Sequence, residues 1–135
     1  MITAVDSNVL IDVLGADPTF GPASSAALRE ASRSGALIVS EVVWAETAGW
    51  YASEAEAAQV LDDLRVRFVP TGASAAYLAG AAWAAYRRGG GRRERLIADF
   101  LVGAHAHAHA ERLLTRDGDF LRSRFRGLKI LDPTA

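Results

Sequence analysis

Residues 2–15 read ITAVDSNVLIDVLG, in which a short apolar run is followed by small polar residues and then by a longer apolar run. The first run, 2–5, has the composition of a buried strand. The polar residues at 6–8 are favoured N-cap types, and Gly15 is a favoured helix terminator. This stretch therefore predicts a strand that passes directly into a helix, which is the first unit of an α/β fold.

The same alternation continues through the rest of the chain. Further strands are predicted at 37–39, 66–69, 112–115 and 129–131, the last as an edge strand. Helices are predicted at 9–14, 22–34, 40–49, from Ser53 onward, 74–86 and 96–111. This order predicts an α/β fold whose central, mainly parallel sheet is covered by helices on both faces. No internal repeat or interdomain linker is visible, and we expect residues 1–135 to form a single domain.

Composition and charge limit the kinds of site that the chain can form and the place where it can act. The chain has no cysteine, which excludes disulfides and thiolate metal sites. No apolar run approaches the roughly 18 residues of a membrane span, and Met1 leads into a strand, so we expect a cytoplasmic protein. Residues 1–86 carry ten acids and four bases, whereas residues 87–129 carry eleven bases and five acids. This asymmetry suits a protein that holds cations and a polyanion in different regions, although ordinary solvated surface explains it equally well.

Acidic residues follow the predicted strands in a way that suggests a common site. Asp6 ends the first strand and Asp117 comes shortly after the strand at 112–115, while Glu46 and Asp99 lie well inside helices. Because ligands of parallel sheets gather at the carboxyl ends of the strands, we expect these acids to meet at one edge. Clustered carboxylates repel one another unless a cation neutralises them, and oxygen ligands suit Mg²⁺ or Mn²⁺. Such an ion activates water and stabilises a phosphodiester under attack, which is nuclease chemistry.

Helical spacing also predicts the environment of Glu46. Val42, Val43 and Trp50 lie three or four residues away, so we expect the carboxylate to share an apolar face. An unpaired carboxylate there would need a cation or a proton. A divalent metal meets this need, and so does one Arg partner for each acid; Arg95 is suitably spaced for Asp99.

Four segments carry a resemblance to a known family: residues 6–12 (DSNVLID), Glu46, residues 97–99 (IAD) and residues 114–117 (LTRD). Together they resemble the PIN-domain family, and most closely the VapC toxins, over nearly the whole chain. The resemblance implies a three-layer α/β/α fold and a Mg²⁺- or Mn²⁺-dependent endoribonuclease, the toxin of a type II toxin–antitoxin module. It also implies a VapB-type antitoxin as partner and a homodimer.

The resemblance assigns roles to residues one by one. The catalytic acids would be Asp6, Glu46, Asp99 and Asp117, with the metal on Asp6, Asp99 and Asp117, and with Glu46 bound directly or through water. Ser7 and Thr115 fall on supporting hydroxyl positions. Two roles remain open for Asp119: it could contact the metal through water, or it could cap a short turn that begins at Phe120.

Basic residues near the acids are predicted to hold the RNA backbone, namely Arg92, Arg93, Arg95 and Arg116. The glycines at 89–91 lack the Lys-Ser/Thr of a P-loop and are interpreted as part of a mobile basic flap. His105, His107 and His109 alternate with alanine on a helix and are predicted to face the surface or a partner. We predict core or interface positions for Trp44, Trp50, Tyr51 and Trp83. Stacking on RNA bases is the less favoured role for these rings.

Other function classes remain as alternatives. A phosphatase or phospho-receiver domain also places acids at strand ends, but the former needs a second Asp where Asn8 stands, and the latter needs adjacent acids. A PIN-like module that binds RNA or protein without cutting is the second alternative, against which the complete acid set argues. The sequence names neither the RNA that is cut nor the antitoxin.

Overall fold

Short strands and longer helices alternate along the chain in the computed structural model, which describes residues 1–92 and 95–135. The elements in chain order are β1 (Thr3–Val5), α1 (Ser7–Leu14), α2 (Gly21–Ser34), β2 (Leu37–Val39), α3 (Glu41–Ala48), α4 (Glu54–Asp63), β3 (Val66–Phe68), α5 (Ala73–Arg88), α6 (Ile97–His109), β4 (Arg112–Leu114), α7 (Gly118–Arg124) and β5 (Ile130–Leu131). The predicted strands and helices are all present, with small shifts at their ends.

The strands described form a five-stranded sheet in the order β3-β2-β1-β4-β5, and every neighbouring pair is parallel. Helices flank this sheet, which confirms the predicted α/β fold and its parallel sheet. Val5 at the end of β1 lies opposite Leu114 at the end of β4. The residues that follow these two strands therefore emerge side by side at the carboxyl edge, where α/β proteins bind ligands.

Burial explains why the strands could be read from the sequence. Every residue of β1 and β2 is buried, so these strands are continuous apolar runs rather than alternating ones. The edge strand β3 instead exposes Arg67 and Phe68. Serine caps were equally informative, because Ser40 accepts a hydrogen bond from the Val43 N–H at 3.4 Å at the start of α3.

Helix α7 is the element that the sequence did not predict, since only a turn from Phe120 was expected there. It is seven residues long, and glycine and arginine weaken its apolar pattern. It is held by packing: the Phe120 ring lies 5.5 Å from Tyr86 of α5 and 5.7 Å from Phe100 of α6, centroid to centroid. This aromatic cluster joins three helices near the site described below.

Helix α5 is the longest described helix, with 16 residues, and it extends two residues beyond the predicted end. The extension places Arg87 and Arg88 in its last turn, where cations interact favourably with the helix dipole. In the described part of the chain, neither α5 nor any other helix combines the length and apolar character required to cross a membrane.

Candidate active site

Asp6 occupies the junction between β1 and α1, where it caps the helix. Its backbone is extended, with φ −79° and ψ 154°, and its Oδ1 accepts a hydrogen bond from the Ser7 N–H at 2.7 Å. Only 9% of the residue is exposed. Burial raises the pKa of Asp6 to about 6, from an ordinary 3.8; hydrogen bonds from Thr115 and Ser7 oppose this rise, and repulsion by Glu46 and Asp117 adds to it. Asp6 is therefore a carboxylate that would gain from a nearby cation.

Ser7 connects Asp6 to Glu46. The Ser7 hydroxyl lies 3.0 Å from Glu46 Oε1 and 3.4 Å from Asp6 Oδ1, so it bridges α1 and α3. The expectation that Glu46 lies on an apolar face is wrong, because Glu46 is exposed. The buried face of α3 is formed by Val43 and Thr47, and Glu46 projects away from it toward the end of β1.

Thr115 links Asp6 to the loop that carries Asp117. Its hydroxyl is fully buried; it donates to Asp6 Oδ2 at 2.7 Å and accepts from the Asp117 N–H at 3.0 Å. The amide of Asn8 donates to the same oxygen at 3.3 Å. One hydroxyl can donate once and accept twice, so all three bonds can exist together. These bonds place the Thr115 hydroxyl between Asp6 and the Asp117 backbone, and its supporting role in catalysis stays a prediction.

Asp117 is paired with Arg95. Both terminal nitrogens of the guanidinium donate to the carboxylate, Nη2 to Oδ1 at 3.0 Å and Nη1 to Oδ2. The guanidinium also lies 3.9 Å from the centre of the Phe120 ring. The pair raises the pKa of Arg95 further, with burial opposing it and Asp99 contributing more weakly. The partner of Arg95 is therefore Asp117 rather than Asp99.

Asp99 lies in the first turn of α6, nearer the helix start than the sequence suggested. Its Oδ2 accepts a hydrogen bond from the Leu96 N–H at 3.0 Å, so it caps its own helix. It lies four residues after Arg95, which pairs with Asp117, and its charge contributes to the raised pKa of Arg95. We use the name acid site for Asp6, Glu46, Asp99 and Asp117 together.

The donors of the acid site suit a hard divalent cation. All are oxygen atoms, and buried Asp6 faces two further carboxylates. Within residues 1–92 and 95–135, however, no three acidic or histidine side chains already form a metal-binding group. Asp99 instead accepts a hydrogen bond from the Leu96 N–H, and Asp117 is paired with Arg95. A metal ion would therefore compete with these two contacts.

Arg116 makes a second ion pair, with Asp12 of α1. Arg116 Nε lies 2.8 Å from Asp12 Oδ2 and Nη2 lies 3.1 Å from Oδ1, while the Ser24 hydroxyl donates to Oδ2 at 2.8 Å. The Arg116 guanidinium lies 4.0 Å from the centre of the Phe20 ring. The RNA contact proposed for Arg116 stays a prediction, and its visible role is to anchor the loop between Thr115 and Asp117. Sequence reasoning missed Asp12, although an acid between two apolar residues is a signal for a buried pair.

Asp119 and the histidines lie apart from these contacts. Asp119 is exposed in the first turn of α7 and pairs with Arg122 at 3.1 Å. His105 is only 2% exposed, so the prediction of a surface position is wrong for this residue. His105 Nε2 donates to the Val69 carbonyl at 2.8 Å, and His109 Nε2 donates to the Thr71 carbonyl at 2.7 Å, since a carbonyl can only accept. Both histidines therefore attach α6 to the segment after β3.

Arg93 lies outside the described residues. Arg92 and Arg95 line a cleft beside the acid site, which we call the basic cleft; its lining residues are Trp83, Arg87, Gly91, Arg92, Arg95 and Leu96. Arg95 belongs to both places, because it lines the cleft and holds Asp117. Of the three arginines predicted beside Asp99, Arg92 and Arg95 thus lie on one surface.

Comparisons with known proteins agree with this architecture. The model of the PIN domain family matches residues 3–125. No curated protein sequence gives a significant match. The fold is similar to VapBC2 from Rickettsia felis bound to a DNA fragment from their promoter (18% identity, 98% of both chains, TM-score 0.72). It is also similar to VapBC-1 from nontypeable Haemophilus influenzae (18%, 100% of both chains, 0.72) and to a toxin–antitoxin complex from Klebsiella pneumoniae (16%, 97% of both chains, 0.66).

Proposed function

The chain belongs to the PIN domain family, and we propose that it is a metal-dependent endoribonuclease, the toxin of a toxin–antitoxin pair. The observation that carries the proposal is the buried carboxylate of Asp6, which faces Glu46 and Asp117 at the carboxyl edge of the sheet and has a raised pKa. A cluster of this kind is stable with a cation and suits the binding of phosphate through that cation.

The residues of the acid site have different proposed roles. Asp6, Asp99 and Asp117 would hold Mg²⁺ or Mn²⁺, with Glu46 bound directly or through water. The bound ion would supply an activated water and stabilise charge on the RNA phosphodiester. Thr115 fixes Asp6 relative to the Asp117 backbone, through hydrogen bonds of 2.7 and 3.0 Å.

Ser7 is the second supporting residue, because its hydroxyl reaches both Asp6 and Glu46. It lies between two carboxylates, one at the β1–α1 junction and one on α3. Arg92 and Arg95 adjoin these acids and would hold the RNA backbone, with Arg93 and Arg116 as further predicted contacts. Guanidinium groups suit this task because they bind phosphate oxygens in pairs.

A protein partner is part of the proposal. One similar structure is a toxin–antitoxin complex, which supports a VapB-type antitoxin here as well. A homodimer in the cytoplasm completes the proposal, and the oligomeric state is measured directly by sedimentation equilibrium.

The test is cleavage of total cellular RNA by purified protein, with Mg²⁺, with Mn²⁺ and with EDTA. We expect cleavage only with metal, and its loss in Asp6→Asn and Asp99→Asn proteins that remain folded by circular dichroism. Asp62→Asn is the matched control, because Asp62 is an exposed acid on α4 outside the acid site. Cleavage by Asp6→Asn protein at the unsubstituted rate would contradict the assignment.

A second candidate is a PIN-like module that binds RNA or protein without cutting. The pairing of Arg95 with Asp117 favours it, since this contact occupies a carboxylate that a metal would need. The same experiment separates the two functions. A module that only binds would leave the RNA uncleaved with Mg²⁺, with Mn²⁺ and with EDTA.

A further inference from the structure

Asn8 is a partly buried polar residue in the first turn of α1, beside the acid site. Its side-chain amide makes two hydrogen bonds to the loop after β4. Nδ2 donates to Thr115 Oγ1 at 3.3 Å, and Oδ1 accepts from the Arg116 N–H at 3.3 Å. Asn8 therefore connects the start of α1 to the loop that carries Asp117.

The orientation of this amide follows from its partners. A backbone N–H can only donate, so the Asn8 atom that faces the Arg116 N–H must be the oxygen. The NH₂ group then faces Thr115, and it too can only donate. Thr115 Oγ1 also accepts from the Asp117 N–H, at 3.0 Å. Two donors therefore fill the two acceptor positions of the Thr115 hydroxyl.

The direction of the Thr115 proton follows in turn. A hydroxyl has one proton and two lone pairs, and the two donors above use the lone pairs. The proton is donated to Asp6 Oδ2, which lies 2.7 Å away. Thr115 is fully buried, so groups of the protein rather than bulk water determine where this proton points. A donor in this place holds the Asp6 carboxylate in a fixed orientation.

The Asn8 amide is itself held in place by Arg116. Asn8 and Asp12 are four residues apart on α1 and share a face. Asn8 binds the Arg116 backbone, whereas Asp12 binds its guanidinium at 2.8 and 3.1 Å. Residue 116 is thus attached to α1 at two points. A half-turn of the amide would bring its NH₂ group against the Arg116 N–H, where two donors would meet.

We propose that Asn8 is a positioning residue of the acid site, which directs the Thr115 proton to Asp6 and so keeps the Asp6 carboxylate oriented for a divalent cation. Asn8 acts through Thr115 and needs no contact with the metal or the RNA. Hydrogen-bonding partners behind a ligating carboxylate commonly control metal affinity in this way. The inference rests on the proposed metal-dependent function and adds a residue to it.

The substitution Asn8→Asp has opposite expected effects from charge and from hydrogen bonding. A further carboxylate beside the acid site would, by its charge alone, tighten the binding of a cation. Both of its oxygens are acceptors, however, so the one that faces Thr115 competes with Asp6 for the proton. We expect Mn²⁺ affinity about tenfold weaker, in calorimetry at neutral pH without RNA. An affinity equal to or above that of the unsubstituted protein would overturn the proposal.

Asn8→Leu removes both hydrogen bonds without adding a charge. The Thr115 proton keeps Asp6 as its acceptor, so Mn²⁺ affinity should fall by only about threefold. Gln59→Glu is the matched control for an amide replaced by a carboxylate, because Gln59 is exposed on α4, outside the acid site, and donates to Asp63. Its effect should be less than about twofold. A larger loss in Asn8→Leu than in Asn8→Asp protein would contradict the proposed role.

Amide hydrogen exchange in EDTA separates this role from a merely structural one. Asn8→Leu should speed exchange at the Arg116 N–H about tenfold, because the acceptor is lost. Asn8→Asp should leave this exchange slow, because a carboxylate oxygen still accepts. We therefore expect the variant with the intact loop contact to have the weaker Mn²⁺ affinity. If affinity followed exchange protection instead, Asn8 would act only by holding the loop, and the proposal would be wrong.

Thr115→Val removes the hydroxyl through which Asn8 acts. In this background Asn8→Asp should no longer weaken Mn²⁺ binding, and its charge should tighten it. A tenfold loss that persists in this background would refute the proposal. Thermal unfolding checks that each variant is folded. If Thr115→Val protein does not fold, the comparison of Asn8→Asp with Asn8→Leu still decides, because it uses the intact hydroxyl.

These outcomes are distinguishable from failure of the proposed function. If the unsubstituted protein cleaves RNA with metal and Asn8→Asp protein binds Mn²⁺ equally well, the inference is wrong and the ribonuclease stands. If the Asn8 variants change Mn²⁺ affinity as expected but RNA stays intact, the positioning role stands and the ribonuclease is wrong. Absence of Mn²⁺ binding to the unsubstituted protein would overturn both.

Discussion

Arg95 and Arg116 make matching contacts in different surroundings. Each guanidinium pairs with one aspartate through two nitrogens, and each lies about 4 Å from a phenylalanine ring, at 3.9 and 4.0 Å. The two arginine side chains are equally exposed, at 27%. Their acids differ, since the side chain of Asp117 is 32% exposed and that of Asp12 only 4%.

This difference in burial gives the two pairs different uses. Breaking a buried pair leaves an uncompensated charge in a poor solvent, so the Arg116–Asp12 pair is a permanent anchor. The Arg95–Asp117 pair, with side chains 27% and 32% exposed, is worth less, because water can replace either partner. The Arg95–Asp117 pair can therefore open when a metal ion or a phosphate offers a better contact.

The largest expected effect is the loss of the buried anchor. Arg116→Ala should lower the free energy of unfolding by about 3 kcal/mol, because Asp12 is left buried and unpaired. Arg95→Ala should lower it by less than about 1 kcal/mol. Urea unfolding of both variants measures the contrast. Equal losses would show that burial does not separate the two pairs.

A smaller effect is expected at Ser24, which is itself fully buried and donates to Asp12. Ser24→Ala should lower the free energy of unfolding by about 1 kcal/mol, since one hydrogen bond to a buried charge is lost. The loss should shrink in an Asp12→Asn background, where no charge needs the bond. An undiminished loss in that background would mean that Ser24 contributes by packing instead.

His105 is buried and His109 is exposed, so the two histidines should affect the pH dependence of stability differently. Burial lowers the pKa of His105, with repulsion by His109 adding to this and the Val69 hydrogen bond and Glu41 opposing it. A lowered pKa in the folded state means that the unfolded chain binds the proton more tightly, so stability is present above pH 6.5 and falls as the pH drops below it. His105→Gln should flatten this decline between pH 7 and 5 in urea unfolding.

His109→Gln is the control for that titration, because His109 makes a similar carbonyl bond while exposed. His109→Gln should leave most of the loss of stability between pH 7 and 5 unchanged. If His109→Gln flattened the curve as much as His105→Gln, burial would not be the cause.

The smallest effect concerns competition for Asp117. Arg95→Gln should raise the affinity for Mn²⁺ about fivefold in calorimetry without RNA, because the partly exposed ion pair with Asp117 no longer opposes the metal. Arg33→Gln is the control, since Arg33 pairs with Glu30 on α2. A lower Mn²⁺ affinity in Arg95→Gln protein would mean that Arg95 supports the metal site rather than competes with it.

The sequence predicted the strands and the place of Asp6, because buried parallel strands are apolar runs and a cap residue directly follows the first of them. It could not predict which acid Arg95 binds. Asp99 and Asp117 are both suitable in charge, and the observed partner Asp117 precedes α7, whose Phe120 ring lies against the Arg95 guanidinium. The partner of Asp12 could not be predicted for a similar reason, since Arg116 is 104 residues away along the chain.

Burial was the other quantity that sequence spacing did not give. Glu46 has apolar neighbours at helical spacing, yet α3 turns Val43 and Thr47 inward and leaves Glu46 exposed. His105 lies between alanines, which suggested a surface, yet α6 is buried from Val102 to Ala106. In both cases the position of the helix against its neighbours decided the outcome.

The most direct test of the account is a crystal of the protein soaked in Mn²⁺, with an anomalous difference map recorded at the manganese edge. The account predicts a peak in the acid site, in contact with Asp6, Asp99 and Asp117, and an Arg95 side chain that has left Asp117. A map without a peak there, with Arg95 still paired to Asp117 at saturating Mn²⁺, would contradict the claim that these carboxylates form a metal-dependent active site.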